Sequence, residues 1–308
     1  MLSYRDTQTS SAQSCDQAVY VHVGLPKTAT SLVQARLYPH HDQIDYLGKL
    51  LPGNSFVTRG VEQLVQLMLR KGTFRCEVGQ ARRIFDREIG PRLGQGRIVL
   101  LSMEDGSLGS LRRFRQKLAN LRAVCGDVRI LFTVRQPHAF IESMYFQRMR
   151  RNNFGGQRRY SAPQLLTIEQ WLDSLWQRGE QAELSYLHFG EKIAACDEMI
   201  GYQRTHVLIF EELQRHAQAY IDKLCDALGI RRFDAAGIFR GGPHNPRVRA
   251  SQLARLAEIS RSPWQALRFR LARPGQRRRM LGPAEGPAAA AQLSARWSTR
   301  VDEMTRPG

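Results

Sequence analysis

Four short apolar runs, separated by stretches of helical periodicity, restrict this chain to few architectures. They are VYVHVG (Val19 to Gly24), RIVLLSMED (Arg97 to Asp105), RILFTVR (Arg129 to Arg135) and THVLIFEEL (Thr205 to Leu213). Each is β-branched or Leu-rich, and each has the length of a strand rather than of a buried helix. Strands without a polar face belong in a parallel sheet covered on both sides. The intervening segments supply the cover. Helical spacing is read in TSLVQARLY, 61–70, 80–93, 111–123, 138–152, 168–176, 182–200 and 216–228, the last ended by Gly229. The alternation predicts a three-layer α/β/α domain with a central parallel sheet and helical insertions.

The flanks read differently. Residues 1–17 form a polar tail expected to be flexible, 18–262 the α/β domain, and 263–308 a basic, Ala-rich C-terminal extension. RGGPHNPRVR, from Arg240, is a basic loop broken by Gly and Pro, and 250–260 reads as a helix. Of 308 residues 42% are hydrophobic, enough for a core. No apolar run approaches the roughly 18 residues needed to span a bilayer, and MLSYRDTQTSSAQSCDQ lacks the apolar stretch of a signal peptide. A cytoplasmic protein is expected. The five cysteines (15, 76, 125, 196 and 225) form no CxxC pair, and the eight histidines form no HExxH. No metal is expected, and the adjacent His40 and His41 read as loop residues.

Charge is the compositional outlier. Lys and Arg total 46 against 28 acids, a formal +18; forty of the cations are Arg. From Arg231 onward there are 16 Arg, no Lys and 5 acids. Nucleic acid, an acidic membrane surface touched peripherally, and an anionic substrate are the partner classes such an excess suits. Codon bias toward Arg is the plain alternative.

The loop after the first strand carries chemistry. In G24-L-P-K-T-A-T-S31 a strand hands over to a helix, where backbone N–H groups and the macrodipole favour an anion. Thr28, Thr30 and Ser31 offer hydroxyls and Lys27 a cation. The Walker pattern GxxxxGK[ST] is not met, because Ala29 and Thr30 stand where it has Gly and Lys. A second constellation lies at Arg135, which ends a strand at the carboxyl edge where open α/β sheets bind ligands. Ser143 follows eight residues on. Arg and Ser together suit a further phosphate, although singly each reads as an ordinary surface or helix residue.

Taken together, VHVGLPKTATSL and VRQPHAFIESMYFQ resemble the sulfotransferases that use 3′-phosphoadenosine 5′-phosphosulfate (PAPS). The resemblance spans about Val19 to Leu213, and the strand HVLIFEEL shares in it. It implies a P-loop nucleotide-kinase-like fold of the bacterial sulfotransferase type. It implies that Lys27, Thr28, Ala29, Thr30 and Ser31 bind the 5′-phosphosulfate, and that Arg135 and Ser143 bind the 3′-phosphate. Ala29 and Ser31 are mild departures from the commoner Gly and Thr. In-line attack by an acceptor hydroxyl on sulfur would release 3′-phosphoadenosine 5′-phosphate (PAP), with Lys27 stabilising charge on the bridging oxygen.

An acceptor hydroxyl needs a base. Glu104, just after IVLLSM, is the first candidate; Asp105, His22 and His138 follow. The bland reading of Glu104 is a carboxylate paired with an Arg. Arg158, Arg159, Tyr160, Trp171, Trp176 and Tyr186 would suit sugars and acidic groups, so a glycan or glycolipid hydroxyl is the expected acceptor. For Trp171 and Trp176 helix core is the competing reading. Arg240, Arg247 and Arg249 would close over nucleotide or acceptor, or form a solvated loop. An atypical P-loop kinase is the alternative enzyme, disfavoured by the shifted lysine. A non-enzymatic nucleic-acid binder is the third reading, and no helix-turn-helix, zinc-finger or RNA-platform pattern supports it.

Overall fold

The structure, a computed structural model, describes residues 17–48, 56–70, 73–154, 166–177 and 183–239, with isolated positions between 255 and 280. Expectations placed on 1–16, on Arg158, Arg159 and Tyr160, on Arg240, Arg247 and Arg249, and on most of 250–308 lie outside the described residues. The chain divides into two compact units: Met1–Arg135 with Glu180–His244, and Gln136–Gly179 with Asn245–Gly308.

The first unit is built on five parallel strands: β1 (Val19–His22), β2 (Ile44–Tyr46), β3 (Ile98–Ser102), β4 (Val128–Val134) and β5 (Thr205–Ile209). Their order is β2-β3-β1-β4-β5. β1 is central, with Val19 opposite both Val99 and Val128, and His22 opposite both Ser102 and Leu131. The chain builds the β3 side first and then crosses to β4, so the strand order reverses beside β1. That is where parallel sheets open a crevice at their carboxyl edge.

Period-two alternation assigns the faces. Val19, Val21, Val99, Leu101, Ile130 and Phe132 point to one side. There they pack against α2 (Arg59–Leu69), α3 (Val78–Glu88), α4 (Leu111–Cys125) and α7 (Phe189–Met199). Tyr20, Leu100, Leu131 and Leu208 point to the other, against α1 (Thr30–Arg36) and α9 (Ala217–Leu228). The anticipated three-layer α/β/α arrangement is therefore the one found. Local chemistry sets the helix ends. The Thr58 hydroxyl accepts from Val61 N at 3.1 Å to open α2, and α9 stops at Gly229, whose φ of 66° suits a residue without Cβ.

Several sequence expectations need correction. RIVLLSMED is not one strand to Asp105: β3 ends at Ser102 and a 3-10 turn, Glu104–Ser107, follows. The helix read over 80–93 ends at Glu88, and a 3-10 turn, Gly90–Arg92, follows. β2 was not anticipated: it has three residues with Asp45 in the middle, and the Asp45 carboxylate pairs with Arg92 at 2.9 Å. The run THVLIFEEL is not one strand to Leu213. β5 ends at Ile209 and α8 (Phe210–Arg215) follows, with Glu211 and Glu212 in its first turn, where they complement the helix dipole. The stretch 182–200 is split into a 3-10 turn (Glu183–Leu187) and α7.

The second unit contains α5 (Pro137–Phe154) and α6 (Ile168–Gln177). Tyr145 and Trp171 pack ring to ring at 5.8 Å, and the Tyr145 hydroxyl donates to the Leu166 carbonyl at 2.8 Å. Trp171 is buried and Trp176 is exposed. No helix among the described residues is long and apolar enough to cross a membrane.

Candidate active site

The loop after β1 stays tied to the sheet before it turns. Val23 N donates to Leu131 O at 2.9 Å and Leu25 N to Thr133 O at 3.0 Å. Then the backbone leaves ordinary territory. Lys27 (φ 70°) and Ala29 (φ 59°, ψ 14°) are both left-handed, and they are the non-glycine residues with positive φ among those described. Each such conformation costs roughly 1 kcal/mol or more, and it persists where the surroundings over-determine it. Ala29 is the N-cap of α1 yet offers no side-chain cap.

The surroundings are specific. Arg135, just past the end of β4, donates from Nη1 to the Lys27 carbonyl at 2.8 Å. Its guanidinium lies 4.8 Å from the centre of the Phe210 ring, a cation–π contact at the start of α8. The buried Thr28 hydroxyl turns inward and donates to Leu25 O at 2.6 Å. The Thr30 hydroxyl donates to Glu104 Oε1 in a short hydrogen bond. Lys27, Ala29 and Ser31 are half-buried. Three strand ends thus meet at one loop: β1 supplies Lys27 and Thr30, β3 supplies Glu104, and β4 supplies Arg135.

Beneath the loop the sheet carries a polar patch. His22 Nε2 lies 2.9 Å from Thr133 Oγ1, and Nδ1 lies 2.9 Å from the Tyr38 hydroxyl and 3.1 Å from Ser102 Oγ. Gln34 Nε2 donates to Ser102 Oγ at 2.8 Å. All five side chains are buried, so their mutual hydrogen bonds satisfy groups cut off from water. The patch also dictates Gly24. A Cβ there would sit 2.7 Å from His22 Nε2.

The loop after β3 is a 3-10 turn, Glu104–Ser107. Met103 N donates to His22 O at 2.8 Å, and a Cβ on Gly106 would lie 2.8 Å from Val23 Cγ1. The turn therefore rests on the end of β1. Asp105, the second candidate base, is half-exposed and paired with Arg70 at 2.6 Å. Two buried lysines hold the turn from inside. Lys117 Nζ on α4 donates to the carbonyls of Asp105 (3.1 Å), Gly106 (3.0 Å) and Leu108 (2.8 Å). Lys192 Nζ on α7 donates to Ser107 O at 2.7 Å and also to Ser185 O. The sequence reading missed both lysines, although a signal existed. Lys117 sits on the apolar stripe Phe114–Leu118–Leu121, and Lys192 on that of Ala195 and Cys196.

Of the other sequence candidates, Ser143 is buried on α5 and His138 lies in the first turn of that helix, both within the second unit. His41 is buried beside its exposed neighbour His40 and bonds the Arg231 carbonyl at 3.1 Å. Among the described residues no three His, Cys, Asp or Glu gather as a metal site.

No protein-family model and no curated protein sequence matches the chain. Sulfotransferases are among the similar solved structures. One, from Alicyclobacillus acidocaldarius, is 19% identical, with 82% of this chain and 94% of that one covered and a TM-score of 0.47. The sulfotransferase domain of the Synechococcus PCC 7002 olefin synthase is 16% identical, covering 96% and 98%, with a TM-score of 0.44. Mouse sulfotransferase SULT7A1, complexed with PAP, is 12% identical, covering 94% and 82%, with a TM-score of 0.43.

Proposed function

We propose that residues 18–262 form a PAPS-dependent sulfotransferase. The observation that carries this reading is the convergence on one strained loop of Lys27, Thr30, Glu104 and Arg135 from three strand ends. The left-handed backbone at Lys27 and Ala29 is strain of the kind kept where a loop must hold a fixed shape for function. The motif order, PKTATS and then Arg135 with Ser143, supports PAPS as the anion.

PAPS supplies the sulfuryl group as co-substrate. Lys27 stabilises charge on the bridging oxygen as the sulfur–oxygen bond to the 5′-phosphate breaks. Arg135, braced by Phe210 and the Lys27 carbonyl, recognises the 3′-phosphate together with Ser143. Glu104 takes the acceptor proton while the acceptor oxygen bonds to sulfur, and PAP leaves with the electron pair. Its hydrogen bond from Thr30 orients the carboxylate beside the loop. The acceptor is a hydroxyl; Trp171 and Tyr186 are core residues, so the glycan or glycolipid reading leans on the exposed Trp176 and the Arg residues of the stretch 153–200.

Titration calorimetry with PAP, ATP and AMP, first without and then with magnesium, tests the reading. Selective binding of PAP is expected. Arg135→Ala is expected to weaken PAP by ~1.5–3 kcal/mol, the worth of a charged hydrogen bond, and AMP much less. Preference for ATP with magnesium, or equal losses for PAP and AMP, would overturn it. A panel of sugar, lipid and phenol acceptors then tests the glycan assignment.

A further inference from the structure

Four consecutive carbonyls, from Asp105 to Leu108, are gathered by two buried ammonium groups. An ammonium has three donors, and Lys117 Nζ meets three carbonyls. The arrangement has no role in the mechanism above, yet it fixes the turn that carries Glu104. The opposite end of the turn is held by Gly109 N, which donates to Ser185 Oγ at 3.0 Å. Lys192 joins that same Ser185 to the turn through its carbonyl.

We infer that Lys117 is a positioning residue for Glu104: its Nζ, bonded to three carbonyls, holds the 104–108 turn so that the carboxylate stays on Thr30. The inference rests on the sulfotransferase reading only for its effect on turnover. The charged groups facing Lys117 come from each element around it: Asp105 from the turn, Arg113 from its own helix, Arg70 from the end of α2 and Lys192 from α7. Burial, then Arg113 and Lys192, lower its pKa to about 7, with Asp105 opposing. Without the Lys117 amine, three carbonyls are left without their bonds, and a turn with unmet buried carbonyls is loosened.

Amide hydrogen exchange of 103–109 tests the clamp without any assay of activity. In the wild-type chain these amides are expected to exchange slowly, and fast exchange there overturns the proposal without recourse to a variant. In Lys117→Met exchange is expected to be about tenfold faster, and in Lys117→Arg close to wild type. Equal exchange in Lys117→Met and wild type also overturns it. The kinetic arm follows kcat and PAP affinity. The expected result is kcat near wild type in Lys117→Arg and about tenfold lower in Lys117→Met, with PAP affinity kept within twofold in both. An unchanged kcat in Lys117→Met overturns the positioning role. If the exchange pattern appears but the chain neither binds PAP nor transfers sulfuryl groups, the clamp stands and the sulfotransferase reading falls.

Discussion

The loops after β1 and β3 leave neighbouring strands at the same edge of one sheet, yet they are held in opposite ways. The first is strained: Lys27 and Ala29 adopt left-handed backbone, and Arg135 braces the Lys27 carbonyl from the next strand. The second carries no positive φ at Glu104–Leu108. It is stabilised from within by ammonium groups that turn its carbonyls inward. One loop stores strain and keeps a cation half-exposed. The other is clamped by two cations that never reach the surface. On the proposed function the same residue type does two jobs: Lys27 would face a ligand, whereas Lys117 and Lys192 face the backbone. Net charge alone says nothing about which job a given lysine has.

That contrast can be broken at its strongest point first. Lys27→Ala should lower turnover by roughly 10²–10³, or ~2.7–4 kcal/mol on the barrier, the usual loss for one donor at developing charge. Its melting temperature should stay within a few degrees of wild type, because the side chain is only half-buried. Full activity in a sulfuryl-transfer assay would make Lys27 as structural as the other two.

A middle-sized effect concerns Lys117. Its folded pKa is about 7, below the ~10.4 of an unfolded lysine, so between those values the unfolded chain binds more protons. Stability contributed by this residue therefore rises with pH in that window and falls as pH drops through 7. Wild type should gain ~1.5 kcal/mol on Lys117→Met between pH 7 and 8.5, read from urea midpoints at both. A difference that does not change with pH would remove the titration from Lys117.

The smallest effect lies in the strained loop. Ala29→Gly should relieve the left-handed penalty of ~1 kcal/mol, less the extra freedom glycine gives the unfolded chain. A net gain of ~0.5 kcal/mol or less in urea unfolding is expected. A loss would mean that the Ala29 methyl, half-buried at the start of α1, is needed for packing.

What could be read from sequence follows from how local each feature is. The strands β1, β3 and β4 declare themselves as apolar runs, and PKTATS and Arg135 sit in linear motifs beside them. β2 does not, because three residues centred on Asp45 have no pattern, and their pairing depends on β3 alone. β5 was drawn too long because Phe210 and Leu213 are apolar in either conformation; the paired glutamates decide for helix. The link from Thr30 to Glu104, the stacking of Arg135 on Phe210, and the polar patch around His22 each join residues distant in sequence. Such contacts are products of strand order, which no window of sequence contains. Lys117 and Lys192 lie between these cases. A lysine on an apolar helical stripe is visible, but its three carbonyl partners are not.

The central place of β1 also sets a sequence of events. β1 is the first strand synthesised, and its two hydrogen-bonded neighbours arrive only with Val99 and then Val128. Until β4 emerges, the residues that become Lys27 and Ala29 have no Arg135 to hold their backbone. The loop most committed to one conformation is thus made early and shaped late. Closing contacts of that span lowers chain entropy before many interactions offset it, and sheets assembled this way fold slowly. A nascent chain that stops short of Val134 carries the PKTATS segment in full, yet lacks the strand that gives it its shape.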